Sequence, residues 1–224
     1  MSEYIISVKD VIRDFPVSGG YFRALKGITA DFPKGQLSIL KGRSGSGKTT
    51  LLNILGALDL PTKGKVLFDG KNISKLDETS RTLLRRESTG FVFQSVALVP
   101  MMTALENVEF ALRMARFKGN RTQRAMECLS LVGLEKRAQH LPQELSGGEQ
   151  QRIAIARAIS HKPRVIFADE PTGALDTDSG LRVVKLFKEL IEKEGVSIIM
   201  TTHDPGLMEI GDRVFEIEDG VIKQ

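Results

Sequence analysis

The chain has no tryptophan, two tyrosines, three histidines and a single cysteine, Cys128, among 224 residues. One cysteine excludes an internal disulfide and matches the usage of chains kept in a reducing compartment. No Cys/His spacing of the zinc-site type is present. Long apolar runs are missing too. The strongest, Leu51 to Leu60, is broken by Asn53, Gly56 and Asp59, so no stretch reads as membrane-spanning. The start, Met1-Ser2-Glu3-Tyr4, lacks the basic-then-apolar order of a secretory leader, and none is expected. The scarcity of aromatics also bears on the net charge of +4. Basic residues gather at Arg81, Arg85 and Arg86 and from Arg113 to Arg124, but few rings interleave with them. They read as solvated helix faces, and no nucleic-acid partner is expected. At this length the chain can bury a substantial core, as one domain or one and a half.

What is present is a phosphate-binding loop. Gly42-Arg43-Ser44-Gly45-Ser46-Gly47-Lys48-Thr49 fits G-x-x-x-x-G-K-[ST] at every fixed position. Gln36–Lys41 before it reads as a strand, and Thr50–Leu55 after it as the start of a helix. Glycines let backbone N–H groups turn inward, and the helix N-terminus adds partial positive charge. The expected nucleotide contacts are Gly42, Ser44, Gly45, Ser46, Gly47, Lys48, Thr49 and Thr50. Lys48 would reach the β- and γ-phosphates, and Thr49 would ligate Mg²⁺. A nucleoside triphosphate is the expected ligand.

Taken in order, residues 4–9 alternate as a strand and 22–32 suggest another. Between them a loop, Phe15 to Tyr21, offers two rings for a nucleotide base. Phe15 is the first candidate and Tyr21 the second, and each reads equally as a core anchor. A strand at 65–68, a helix near 80–87 and a strand at 91–93 ending at Gln94 follow. Residues 103–117 and 120–132 carry helical spacing. The run 165–168 is apolar throughout, as in a buried parallel strand. A helix at 178–194, a strand at 196–200 and a hairpin over 214–222 complete the chain. The expected organisation is one domain over 1–224. Its α/β core comprises 1–94 and 161–224, and a helical insertion occupies 95–160.

Two further constellations carry chemistry. Asp169-Glu170 ends the 165–168 strand, where Asp169 could hold Mg²⁺ opposite Thr49 and Glu170 could activate water. In Leu145-Ser146-Gly147-Gly148-Glu149-Gln150, Ser146 and Glu149 form a capping box. Gly147 and Gly148 inside that cap permit close backbone approach to an anion. A second anion site beside a complete phosphate loop suggests that it serves the nucleotide held by another copy of the chain, the two related by a two-fold axis.

Together these motifs, with Gln94, Ala174-Leu175-Asp176 and His203, resemble the ATP-binding subunit of an ABC transporter over essentially the whole chain. The resemblance implies a P-loop NTPase (RecA-like) α/β core with an antiparallel β-subdomain and an inserted α-helical subdomain. It implies catalytic roles for Glu170, His203 and Lys48, and Mg²⁺ management by Thr49, Gln94 and Asp169. It places Phe15, Ser146, Gly147, Gly148, Glu149 and Asp176 at the nucleotide or the junction between copies. Phe91–Gln94, Thr103–Val108 and Ser146–Arg157 resemble, more closely, the lipoprotein-release, macrolide-efflux and antimicrobial-peptide-resistance branch. That branch implies a separate transmembrane permease, with Val96–Met102 as candidate dock, and a position on the cytoplasmic face of the membrane. A cell-division regulator and a soluble ATPase acting on nucleic acid or the ribosome are the alternatives. Arg43, Lys41 and Phe15 depart from the branch's usual residues. His140 and His161 match no motif and are expected to be structural.

Overall fold

The computed structural model describes residues 2–223. Strands β1 (Tyr4–Val17) and β2 (Gly20–Pro33) pair antiparallel around the two-residue turn Ser18-Gly19. β3 (Leu37–Lys41) leads through the glycine-rich loop into α1 (Lys48–Leu55). β4 (Lys63–Phe68) and β5 (Lys71–Asn72) add to β1, giving a four-stranded sheet of order β2-β1-β4-β5. After α2 (Glu78–Ser88) and β6 (Thr89–Val92) comes a helical stretch: α3 (Ala104–Met114), α4 (Arg121–Leu131) and α5 (Gly147–Ile159). β7 (Val165–Ala168), α6 (Thr177–Glu194), β8 (Ser197–Thr202), the short α7 (Pro205–Met208), β9 (Arg213–Glu218) and β10 (Val221–Lys223) follow. The second sheet runs β10-β9-β3-β8-β7-β6, parallel apart from β10. Among the described residues no helix is long and apolar enough to cross a membrane.

The period of two along the central strands explains their unbroken apolar runs, because both sheet faces are covered. Leu40, Val165, Phe167 and Ile199 face α1 and the antiparallel sheet, packing with Val8, Leu25, Leu51 and Phe68. Ile39, Ile166, Ile198 and Met200 face the other way, onto Val108, Leu129, Ile155, Val184 and Phe187 of α3–α6. The parallel strands therefore all end at one edge of the sheet, where Gly42, Asp169 and His203 follow directly and Gln94 follows one residue on. Ligand sites of open parallel sheets form at such an edge.

Backbone approach fixes how the helical stretch sits on the sheet. A Cβ on Gly90 would stand 2.4 Å from the Ala158 carbonyl oxygen, so β6 and α5 touch through backbone. Side chains fasten the rest. Asn107, 1% exposed, accepts from the Val99 N–H at 2.8 Å and donates to the Val99, Met102 and Thr103 carbonyls, pinning the loop after Gln94. Arg157 on α5 donates to the carbonyls of Val96 (3.1 Å) and Ala97. Arg124 on α4 donates to the Ser160 carbonyl at 3.0 Å and pairs with Glu194 of α6 at 3.1 Å.

One expected loop is strand. Phe15, Pro16 and Val17 extend β1, and Tyr21 lies in β2. Pro16 is tolerated because β1 pairs with β4 only as far as Ile12. Beyond that point the strand has one neighbour, and a missing N–H costs no bond on the open side. The sixth strand also starts earlier than its apolar residues suggest, at Thr89, which is buried and faces Val165.

Candidate functional site

The phosphate loop owes its shape to two glycines. A Cβ on Gly42 (φ 154°) would meet the Ile217 carbonyl oxygen at 2.2 Å. One on Gly47 (φ 105°) would stand 2.9 Å from Leu25 and 3.0 Å from the Ala24 carbonyl oxygen. Both positions therefore require glycine. Lys48, 4% exposed, donates through Nζ to the carbonyls of Gly42 (2.8 Å) and Arg43 (3.0 Å), spanning the loop from inside. Buried Ser46 Oγ has no hydrogen-bond partner among the described residues and is an unused polar atom in the cradle. Phe22, Ala24, Ser44, Gly45, Gly47, Lys48, Thr49, Thr50 and Glu170 line the adjoining cavity, of about 280 Å³.

Across the sheet edge, three hydroxyl and carboxyl groups interlock. Asp169 Oδ1 accepts from Thr49 Oγ1 at 3.1 Å and from Thr201 Oγ1 at 2.7 Å. Thr201 Oγ1 in turn accepts the Glu170 N–H at 2.8 Å. Glu170 is held at φ 42°, the left-handed region, at a cost of order 1–3 kcal/mol for a residue with a Cβ. In that conformation its carboxylate lies between two groups, with Oε1 3.8 Å from Lys48 Nζ and Oε2 3.5 Å from His203 Nδ1. A Cβ on Gly173 would stand 3.1 Å from Gln94 Nε2 and 3.6 Å from Glu170 Oε2, so the Gln94 amide reaches the same corner.

The residues fit a triphosphate and Mg²⁺. The Thr49 hydroxyl and Asp169 carboxylate are the hard oxygen donors that Mg²⁺ takes. Among the described residues no cluster of three or more His, Cys, Asp or Glu is placed to hold a metal unaided. One carboxylate and one hydroxyl completed by phosphate oxygens is the usual Mg²⁺ arrangement.

The 145–150 segment lies elsewhere. Ser146 caps α5 by accepting from the Glu149 N–H at 3.3 Å, and Glu149 Oε2 accepts the Ser146 N–H at 2.9 Å. That backbone N–H, helped by the Ser146 hydroxyl and Arg137, holds the Glu149 carboxyl below the usual carboxylate range. Gly147 and Gly148 face Leu175 and Ser179, and Asp176 caps α6 by accepting from the Ser179 N–H at 2.9 Å. Hydrogen bonds from Ser179 lower the Asp176 pKa. Among the described residues no hydrogen bond or ion pair joins residues 146–149 to residues 42–50 of the same chain. The fold thus brings together Lys48, Thr49, Gln94, Asp169, Glu170 and His203, and leaves Ser146, Gly147, Gly148, Glu149 and Asp176 as a second group.

Of the two aromatic candidates, the strand register favours Phe15. It pairs directly with Phe22, so both rings share the sheet face that borders the cavity. Tyr21, 77% exposed, alternates to the other face. Phe22 and Thr201 were not legible as site residues. Phe22 is one ring among several in a strand, and Thr201 sits inside an apolar run. His161 is half-buried with Nε2 3.0 Å from the Thr89 carbonyl oxygen, and burial pushes its imidazole toward the neutral form.

The family model described as ABC transporter matches residues 25–173. An ATP-binding protein of Methanocaldococcus jannaschii, MJ0796, is 42% identical over 225 residues, spanning 98% of this chain and 96% of that protein. Its dimeric structure bound to ADP and Pi, described as a post-hydrolysis state, superposes with a TM-score of 0.89 over 98% of this chain and 97% of that one, at 40% identity. The lipoprotein-releasing system ATP-binding protein LolD of Bacteroides thetaiotaomicron is 42% identical over 98% of this chain and its own full length (100%). The macrolide export ATP-binding/permease protein MacB of Agrobacterium fabrum is 45% identical over 99% of this chain, which spans 34% of that longer protein.

Proposed function

The chain belongs to the ABC transporter family, and from that membership we propose that it works as a pair, hydrolysing ATP to drive a separate membrane permease. The ATPase assignment rests on the convergence of Lys48, Glu170 and His203 on one corner of the phosphate loop. Lys48 and the loop N–H groups bind the β- and γ-phosphates. Glu170, pointed into the corner by its left-handed backbone and the Thr201 bond, accepts the proton of the attacking water. His203 and Lys48 stabilise charge on the transferred phosphoryl group. Thr49 and Asp169 would hold Mg²⁺, with Gln94 beside them, and the ion would neutralise charge on the phosphate oxygens. Phe15 carries the base.

The second group of residues finds its use in a second copy. Ser146, Gly147 and Gly148 at the α5 N-terminus meet the γ-phosphate held by the partner, and Asp176 lies at the junction. Each site is then built from two chains, in keeping with the dimeric MJ0796 cassette. The permease meets the chain at Val96–Met102. In favour of that dock, Met101 is 88% exposed, and Met102 lines a groove with Glu106, Glu109, Phe110 and Arg113; Arg113 also lines an apolar cleft of about 570 Å³ beside Leu58, Phe91 and Met114. Such a dock places the chain on the cytoplasmic face of the membrane, in an export or force-transmitting system of the macrolide or lipoprotein kind. Glu170→Gln tests the mechanism. Turnover should fall by at least about 10²-fold while ATP binding survives, and a dimer should accumulate on adding ATP in size-exclusion chromatography. Near-normal hydrolysis would refute the assignment of the base.

A further inference from the structure

The ring that carries the base is itself held by a cation. Arg13 lies two residues before Phe15 on β1, with its guanidinium carbon 4.4 Å from the Phe15 ring centroid. Its Nε donates to Asp59 Oδ2 at 2.8 Å. Asp59 is fixed in turn: its Oδ1 accepts the Leu60 N–H at 2.8 Å, and its own N–H donates to the Asn53 carbonyl, on α1, at 3.2 Å. Two further bonds, Thr62 N–H to the Ile12 carbonyl (2.8 Å) and Asp14 N–H to Thr62 Oγ1 (3.0 Å), tie the same stretch of β1 to the segment after α1. The Phe15 ring is therefore referenced, through Arg13 and Asp59, to the helix that opens at the phosphate loop.

We propose that Arg13, positioned by Asp59, is a positioning residue for the nucleotide base, clamping one face of Phe15 so that the other receives adenine. This rests on the reading of Phe15 as base platform. A phenyl ring on a hairpin end rotates about two side-chain bonds, and stacking a base on it costs that freedom. A planar guanidinium on one face removes the freedom beforehand and leaves one face open. The guanidinium also draws on the ring's negative face, which favours an electron-rich purine on the opposite side. Asp59 sets the distance between base and phosphates, because it binds both the clamp and the end of α1. Arg13 thus acts on the base end of the nucleotide and leaves the triphosphate end alone.

The test measures Kd for ATP and for inorganic tripolyphosphate, which has the phosphates but no base, on the purified chain. Arg13→Met should weaken ATP about three- to tenfold, the range of a partly exposed cation–π contact, with tripolyphosphate affinity unchanged. KM for ATP should rise with kcat maintained. Asp59→Asn should act in the same direction, and Arg13→Lys, which keeps charge without the plane, should recover part of the loss. Phe15→Ala should weaken ATP further, and adding Arg13→Met to it should cost nothing more. If Phe15→Ala weakens ATP while Arg13→Met does not, the clamp is refuted and the platform stands. If Phe15→Ala has no effect, the platform reading fails and the clamp with it. Equal losses for ATP and tripolyphosphate in Arg13→Met would make Arg13 merely structural and overturn the proposal.

Discussion

Removing one hydroxyl from β8 should disable the site without touching any group that meets the nucleotide. Thr201 is fully buried and its Oγ1 serves two neighbours at once, donating to Asp169 at 2.7 Å and accepting from the Glu170 N–H at 2.8 Å. Thr201→Val keeps the shape and deletes both bonds. The Glu170 N–H left without a partner costs about 1–3 kcal/mol, and Asp169 loses a charge-assisted donor while keeping Thr49. The sum is about 2–4 kcal/mol, which lowers Tm by about 4–16 °C for a chain of this size. The larger effect is on turnover. The left-handed backbone at Glu170 persists only while its surroundings hold it, and its release moves the carboxylate away from Lys48 and His203. A displacement of about 1 Å at such a group costs about 10²-fold in rate. Thr201→Ser keeps both bonds and loses a methyl, so it should lower Tm modestly and preserve turnover. The assay is steady-state phosphate release beside a thermal melt. If Thr201→Val melts lower but hydrolyses within about twofold of the parent, the hydroxyl supports the fold alone.

Two other outcomes follow from buried groups. Arg124→Met should destabilise by about 2–4 kcal/mol in urea unfolding, since it strands Glu194 and the Ser160 carbonyl that Arg124, 6% exposed, now binds. Burial pushes the Cys128 thiol up to about 11 from 9.0. The folded chain therefore keeps that proton after the unfolded chain has lost it, and this contribution to stability is complete below pH 9 and lost as pH rises through 11. It amounts to at most about 3 kcal/mol, and alkylation of the native thiol at pH 8 should be at least about 100-fold slower than after denaturation; equal rates would show that Cys128 is exposed.

The phosphate loop, the Asp169-Glu170 pair and the capping box at Ser146 could be read from sequence because each is local, a handful of adjacent residues whose spacing is itself the geometry. Asp169 and Thr49 are 120 residues apart, yet they meet because Asp169 directly follows β7 and Thr49 opens the helix that the phosphate loop leads into from the end of the parallel strand β3, at the same sheet edge. Thr201 was invisible for the opposite reason. Its hydroxyl matters only through Asp169 and Glu170, 32 and 31 residues away, and in the run Ser197–Thr202 it is one more β-branched residue. The Phe15–Tyr21 hairpin end was hidden by Pro16, Gly19 and Gly20, which favour a loop unless cross-strand pairing with β2 outweighs them. Arg13 and Asp59 meet only because that pairing carries β1 past β4.

The backbone contact between Gly90 and Ala158 makes α5 a lever. Ser146 stands twelve residues from Ala158, about 18 Å along the helix. A tilt of about 5° about that fulcrum would swing Ser146 by about 1.6 Å, more than a hydrogen bond to a phosphate tolerates. Arg157, one residue from that fulcrum on the same arm as Ser146, grips the Val96 and Ala97 carbonyls with its guanidinium. Any residue larger than glycine at position 90 would push on the Ala158 carbonyl and shift the fulcrum, and with it the position of Ser146 at the far end of the helix.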